Sequence, residues 1–143
     1  RLPAKSKSAA FPWVTYTHPE LAQVGLTEVK AQAEGREFKT LQWPFSDNDR
    51  AITEGETDGM VKVLVDKKGR ILGAGIVGPH AGELIQTWCL AMQANLKIGK
   101  IANMIAPYPT LGEINKRVAG EYFTPSLFST RTKKLVRFLT RFG

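Results

Sequence analysis

The chain has 143 residues, 43% of them hydrophobic and 23% charged, with a mean hydropathy of -0.19, long enough for one domain to bury a core without disulfides and too apolar for a disordered chain. No apolar run approaches the roughly 20 residues that cross a bilayer, and no signal peptide is visible after Arg1-Leu2-Pro3-Ala4-Lys5, so a cytoplasmic setting is expected. The single cysteine, Cys89, excludes an internal disulfide, a Cys-x-x-Cys redox pair and a cysteine-rich zinc site, while a net charge of +7 raises nucleic acid or an anionic membrane surface as partners.

Residues 1–10 are small, polar and basic (Lys5-Ser6-Lys7-Ser8-Ala9-Ala10) and read as a linker from upstream domains, with the ordered domain expected over 11–120. Trp13-Val14-Thr15-Tyr16-Thr17 is rich in β-branched and aromatic residues and predicts a strand that His18-Pro19 breaks. Thr27 opens a short helix that Gly35 stops, and the alternation from Phe38 to Phe45 predicts a second strand, which Pro44 places near its end or at a sheet edge. Residues 46–59 read as polar turn.

The clearest local element is a hairpin: Met60-Val61-Lys62-Val63-Leu64-Val65, the turn Asp66-Lys67-Lys68-Gly69, and a return strand over 70–78. A helix follows Pro79, because Ala81, Leu84, Ile85, Trp88, Cys89, Met92 and Leu96 recur at spacings of three and four and form one apolar face. A second helix is expected over 98–105. A third starts after Pro109, with Thr110 as N-cap and Glu113 closing a capping box. Strands, a hairpin and then helices, without room for repeated βαβ crossovers, give an α+β domain on an antiparallel sheet.

Gly73-Ala74-Gly75-Ile76-Val77-Gly78 matches Gly-x-Gly-x-x-Gly, a spacing that in dinucleotide-binding folds lets backbone approach a pyrophosphate. Here the glycines fall in a hairpin strand and no acidic residue lies between Glu83 and Glu113 to hold a ribose, so close backbone packing is the preferred reading. His18 and His80 lack a second histidine or a cysteine at ligand spacing, and no metal site is expected. In Ala106-Pro107-Tyr108-Pro109-Thr110-Leu111-Gly112-Glu113, two prolines fix a turn before a helix. Function and a rigid connector are equally open readings there. Tyr108 can donate a hydrogen bond, but a phenol with an ordinary pKa of about 10 is a poor base at neutral pH.

The charge excess collects at the C-terminal end, where Arg131, Lys133, Lys134, Arg137 and Arg141 flank Leu135, Phe138, Leu139 and Phe142 in a basic amphipathic pattern. Residues 121–143 are accordingly read as an extension, either docked on the domain or free for a membrane surface or partner.

Trp13-Val14-Thr15-Tyr16-Thr17-His18-Pro19-Glu20-Leu21-Ala22-Gln23-Val24-Gly25-Leu26-Thr27 resembles the opening of the C-terminal dimerisation domain in the pyridine nucleotide-disulfide oxidoreductases, the family of glutathione reductase, dihydrolipoamide dehydrogenase and mercuric reductase. Gly59-Met60-Val61-Lys62, the 71–78 run, Ala81-Gly82-Glu83-Leu84-Ile85 and Pro109-Thr110-x-x-Glu113 resemble further blocks in order, covering about 11–118. The resemblance implies a parent enzyme that passes electrons from NAD(P)H through FAD to a disulfide or related acceptor. Its nucleotide domains lie upstream, and this domain forms a homodimer and completes the partner subunit's active site. The isolated fragment is expected to hold no cofactor and to be inactive. By the same resemblance Tyr108 and Glu113 are the candidate catalytic residues, and Tyr108 and Pro109 the contacts to the partner's FAD. The family carries a histidine where this chain has Tyr108, which puts its usual thiol proton transfer in doubt; tyrosine resembles the mercuric reductase branch, whose C-terminal cysteine pair is missing here. The alternative reading is a basic binding module whose tail meets an anionic membrane surface, with nucleic acid the less favoured target.

Overall fold

The computed structural model describes residues 11–127. Five antiparallel strands form one sheet in the order β1 (Trp13–Thr15), β2 (Glu20–Gly25), β5 (Ile71–Gly78), β4 (Met60–Val65) and β3 (Lys39–Pro44). The expected α+β architecture is therefore present. Pro44 ends an edge strand, where its missing N–H costs no ladder bond.

Alternation decides which face is buried. Ala22 and Val24 of β2, Ala74 and Ile76 of β5, Val61, Val63 and Val65 of β4 and Leu41 of β3 all point to one side and are buried. Against that side pack α3 (Ala81–Leu84), α4 (Gln86–Gln93) and α6 (Glu113–Gly120), with α5 (Ile98–Ala102) behind α6. On the other side α1 (Glu28–Ala33) covers one corner, its Glu28 accepting from Thr40 at 2.8 Å and Lys62 at 2.9 Å.

The β4–β5 hairpin forms as read, and Asp66 explains its turn. Its Oδ1 accepts from the backbone N–H groups of Lys68 (2.8 Å) and Arg70 (2.9 Å), while Gly69 takes the left-handed conformation at φ 74. Arg70 Nε also donates to Asp66 Oδ2 at 2.6 Å. Burial pushes the Asp66 carboxyl up, but these hydrogen bonds from Arg70 and Lys68 outweigh it and hold the group below its ordinary value of 3.8.

Five elements differ from the sequence reading. Residues 20–25 form β2, a central strand, although only Ala22 and Val24 carry its buried face and neither gives a strong apolar signal. Residues 46–59 are not merely turn: they hold a short 3-10 turn and α2 (Asp49–Glu54), N-capped by Asn48, whose Oδ1 accepts from Ala51 N at 3.0 Å, and ended by left-handed Gly55. Ala51 is the one buried residue of α2, so periodicity could not show it.

The helix after Pro79 divides into α3 and α4 at Ile85, where Trp88 N donates to Ile85 O rather than to Leu84 O. The freed Leu84 carbonyl accepts instead from Asn115 Nδ2 at 2.9 Å, and the buried Trp88 indole donates to Asn115 Oδ1 at 2.8 Å. The apolar stripe survives the break: Ala81, Leu84, Ile85 and Trp88 are buried, with Cys89, Met92 and Leu96 partly so. The helix expected over 98–105 stops at Ala102.

Finally, the expected capping box at Thr110 does not form. Helix α6 begins at Glu113 from Gly112 without a side-chain cap, because Thr110 Oγ1 donates to Pro107 O at 2.7 Å and stays within the preceding turn. Beyond α6, Tyr122 packs against the core and donates to Lys67 O at 3.2 Å, and α7 (Thr124–Leu127) follows. The linker read over 1–10 and the basic pattern from Arg131 to Phe142 lie outside the described residues.

Candidate functional site

The segment between α5 and α6 leaves the domain surface as an apolar projection. Ile105 is 98% exposed and Tyr108 67% exposed, and Pro107 and Pro109 are exposed on either side of the tyrosine. The Tyr108–Pro109 peptide bond is cis.

Helix α2 braces this projection. Asn48, 3% exposed, spends its Oδ1 on capping α2 and donates its Nδ2 to Thr110 O at 3.2 Å, fixing the base of the turn. The next residue, Asp49, takes the tip: Tyr108 Oη donates to Asp49 Oδ2 at 2.7 Å. That hydrogen bond to Asp49, and then the Asp49 charge itself, push the Tyr108 phenol above its ordinary pKa of 10.0, and Glu113 adds a smaller push in the same direction. Tyr108 is therefore held neutral over a wider pH range than a free phenol, and it is no base at neutral pH.

Of the residues singled out in the sequence, Tyr108, Pro109 and Glu113 do gather at one end of the molecule. Their bonding differs from a tyrosine supported by the glutamate. Glu113 accepts from Arg117 one helical turn on, at 2.9 Å from Nη2, and makes no hydrogen bond to Tyr108. Sequence reasoning passed over Asn48 and Asp49. The available signal was Asn48 followed seven residues later by Gly55, the two ends of a short helix.

The glycine run is accounted for by packing. It lies within β5, and a Cβ on Gly73 would sit 2.0 Å from Leu26 O, while one on Gly78 would sit 2.2 Å from the Phe45 ring. The chain's own atoms occupy the space a pyrophosphate would need, so these residues do not fit a bound dinucleotide. His18 and His80 are exposed, and among the described residues no group of His, Cys, Asp or Glu is placed to hold a metal. Burial raises the Cys89 thiol above its ordinary value of 9.0, which disfavours the reactive thiolate.

Residues 11–119 match the family model described as "Pyridine nucleotide-disulphide oxidoreductase, dimerisation domain". The chain is 47% identical over 103 residues to a mitochondrial dihydrolipoyl dehydrogenase of Sus scrofa, covering 71% of this chain and 20% of that protein. It is 43% identical over 109 residues to a dihydrolipoyl dehydrogenase of Cupriavidus necator, covering 76% and 23%. Among solved structures, the HOCl-induced flavoprotein disulfide reductase RclA of Escherichia coli superposes with a TM-score of 0.75 at 27% identity, over 78% of this chain and 26% of that one. LpdA of Mycobacterium tuberculosis gives the same TM-score and identity over 80% and 25%. The chain thus spans about a fifth to a quarter of the length of the relatives it matches.

Proposed function

Because the chain belongs to the dimerisation-domain family of the pyridine nucleotide-disulphide oxidoreductases, we propose that it serves as the interface domain of a homodimeric, FAD-dependent NAD(P)H oxidoreductase. The nucleotide-binding domains would lie upstream in the same polypeptide, and the Tyr108–Pro109 turn would complete the active site of the partner subunit.

The observation that carries this reading is the braced and exposed turn on a domain matching the family from residue 11 to 119. A segment with Ile105 and Tyr108 turned to solvent gains little for a monomer, yet the N-cap Asn48 and the first residue of α2, Asp49, hold it in shape. A second apolar surface supports the same reading. On the sheet face away from α3, α4 and α6, the paired residues Leu21, Val77 and Met60 stand side by side across β2, β5 and β4, and Trp13 lies one row away on β1. Trp13, Met60 and Val77 are all exposed, and an upstream domain or second subunit covering them would remove that area from water at about 25 cal/mol per Å².

The flavin, when bound by the upstream domains, supplies the electron transfer from the nicotinamide to the acceptor. What this chain adds is shape and polarity. Pro109 and the Tyr108 ring offer a flat, apolar contact to the flavin region, Tyr108 Oη offers a hydrogen-bonding atom to the reacting group, and Glu113 fixes Arg117 beside it.

The intact polypeptide carrying this domain, purified from its source, tests the reading. Flavin absorbance with a dimeric mass in sedimentation velocity is the expected result. A colourless protein, or a strict monomer with flavin bound, would overturn it.

A further inference from the structure

A phenol has one hydrogen to give, and a carboxylate can only accept. With Tyr108 Oη 2.7 Å from Asp49 Oδ2, the direction of that bond is settled: the tyrosine proton points at Asp49. The distance is that of an O–H donor on a charged acceptor, among the stronger hydrogen bonds a side chain makes. What Tyr108 turns outward is then oxygen lone pairs, made more negative by the carboxylate behind them.

Asp49 is well placed to impose this. It is the first residue of α2, directly after Asn48, so one two-residue unit grips the turn twice, Asn48 at the Thr110 carbonyl and Asp49 at the tyrosine tip. No element of the turn itself could do so, since Thr110 is spent on Pro107 O and Glu113 on Arg117. The charged groups facing Tyr108 are Asp49 from α2 and Glu113 and Arg117 from α6, and the latter two neutralise each other at 2.9 Å. Asp49 is thus the group that sets the polarity at the phenol oxygen.

We propose that Asp49 is the positioning residue of the Tyr108 turn, and that through it the turn presents a hydrogen-bond acceptor, not a proton donor, to a substrate group bearing S–H, N–H or O–H. This rests on the reading of the turn as part of the partner subunit's active site, and it narrows that reading. A turn whose tyrosine proton is held by a carboxylate and whose threonine proton is held by a backbone carbonyl does not protonate a leaving group. It orients a donor and leaves proton delivery to another group.

The test has one readout in the chain itself and one in the flavin-loaded dimer of the parent. In the chain, tyrosines labelled at Cζ with ¹³C are titrated by NMR, and Y108F identifies the Tyr108 signal among the three tyrosines. In D49A the Tyr108 midpoint moves down toward the ordinary phenol value, D49E restores part of the wild-type position, and D49N, which keeps the side-chain size, falls between. An unmoved midpoint in D49A overturns the proposal. In the flavin-loaded dimer, D49A and Y108F each lower kcat/KM by about tenfold, the worth of one hydrogen bond, and the double variant loses no more than either alone. Loss in Y108F with full activity in D49A overturns the role of Asp49 while leaving the turn in the active site. Full activity in both removes the turn from the active site, and this proposal with it.

Discussion

Gly73→Ala is the sharpest test of how the glycine run is used. The added Cβ would lie 2.0 Å from the carbonyl oxygen and 2.6 Å from the nitrogen of Leu26, distances at which something must move. Both atoms are backbone, and Leu26 N is committed to Leu72 O at 2.9 Å, so the segment after β2 has to be pushed off β5. Overpacking of this kind costs about 1–3 kcal/mol, and loss of the Leu26–Leu72 bond adds about 1 kcal/mol, giving about 3 kcal/mol in all. Gly75→Ala is the control within the same motif. Its Cβ meets only the Gln23 side chain at 2.6 Å, which can swing aside, so the loss should stay under about 1 kcal/mol.

Urea unfolding followed by tryptophan fluorescence reads both variants, since Trp88 is fully buried. For a slope of about 1.5 kcal/mol/M, Gly73→Ala lowers the midpoint by about 2 M and Gly75→Ala by less than about 0.7 M. Equal midpoints for wild type and Gly73→Ala would refute the packing account. So would Gly75→Ala being the more damaging change, since its Cβ meets the end of a flexible side chain and not backbone.

Asn115→Ala should destabilise the domain by about 3 kcal/mol, because it leaves the buried Trp88 indole N–H and the Leu84 carbonyl without partners; urea unfolding checks this, and a loss below about 1 kcal/mol would mean that water replaces the amide. The Asp66 carboxyl, held below its ordinary 3.8, contributes stability that is fully present above about pH 5 and is lost as pH falls through its lowered folded-state value, so the stability gap between wild type and Asp66→Asn should shrink in acid. A gap that stays constant from pH 7 to pH 3 would contradict this. Cys89, with its thiol raised by burial, should react slowly with a thiol reagent at pH 8 until denaturant is added; immediate labelling of folded protein would show the α4 face to be open.

Much of this protein is written locally. The β4–β5 hairpin follows from alternating residues and an Asp-to-Gly turn whose bonds close within five residues, and the stripe from Ala81 to Leu96 follows from helical spacing. The ordered blocks from Trp13 to Glu113 carried the family resemblance that the match over 11–119 bears out. Strand β2 escaped because a central strand buried through alanine and valine shows little contrast, and its place is decided by the two partners that flank it. The broken helix at Ile85 escaped for a related reason: the stripe is continuous, and only the buried Asn115, 31 residues away, makes the freed Leu84 carbonyl affordable.

The candidate site divides in the same way. Tyr108, Pro109 and Glu113 were legible as a turn before a helix and as a resemblance. What holds the tyrosine was not, since Asp49 lies 59 residues earlier in a short helix with one buried residue and no periodicity. The resemblance paired Glu113 with Tyr108 as candidate catalytic residues, but a glutamate in the first turn of α6 finds Arg117 on its own helix first, at i+4. The choice of hydrogen-bond partner, and with it the polarity that Tyr108 presents, depends on which distant element packs against the turn. That is a property of the folded chain, because a hydrogen bond is fixed by positions within a few tenths of an ångström and local spacing constrains only residues a turn or two apart.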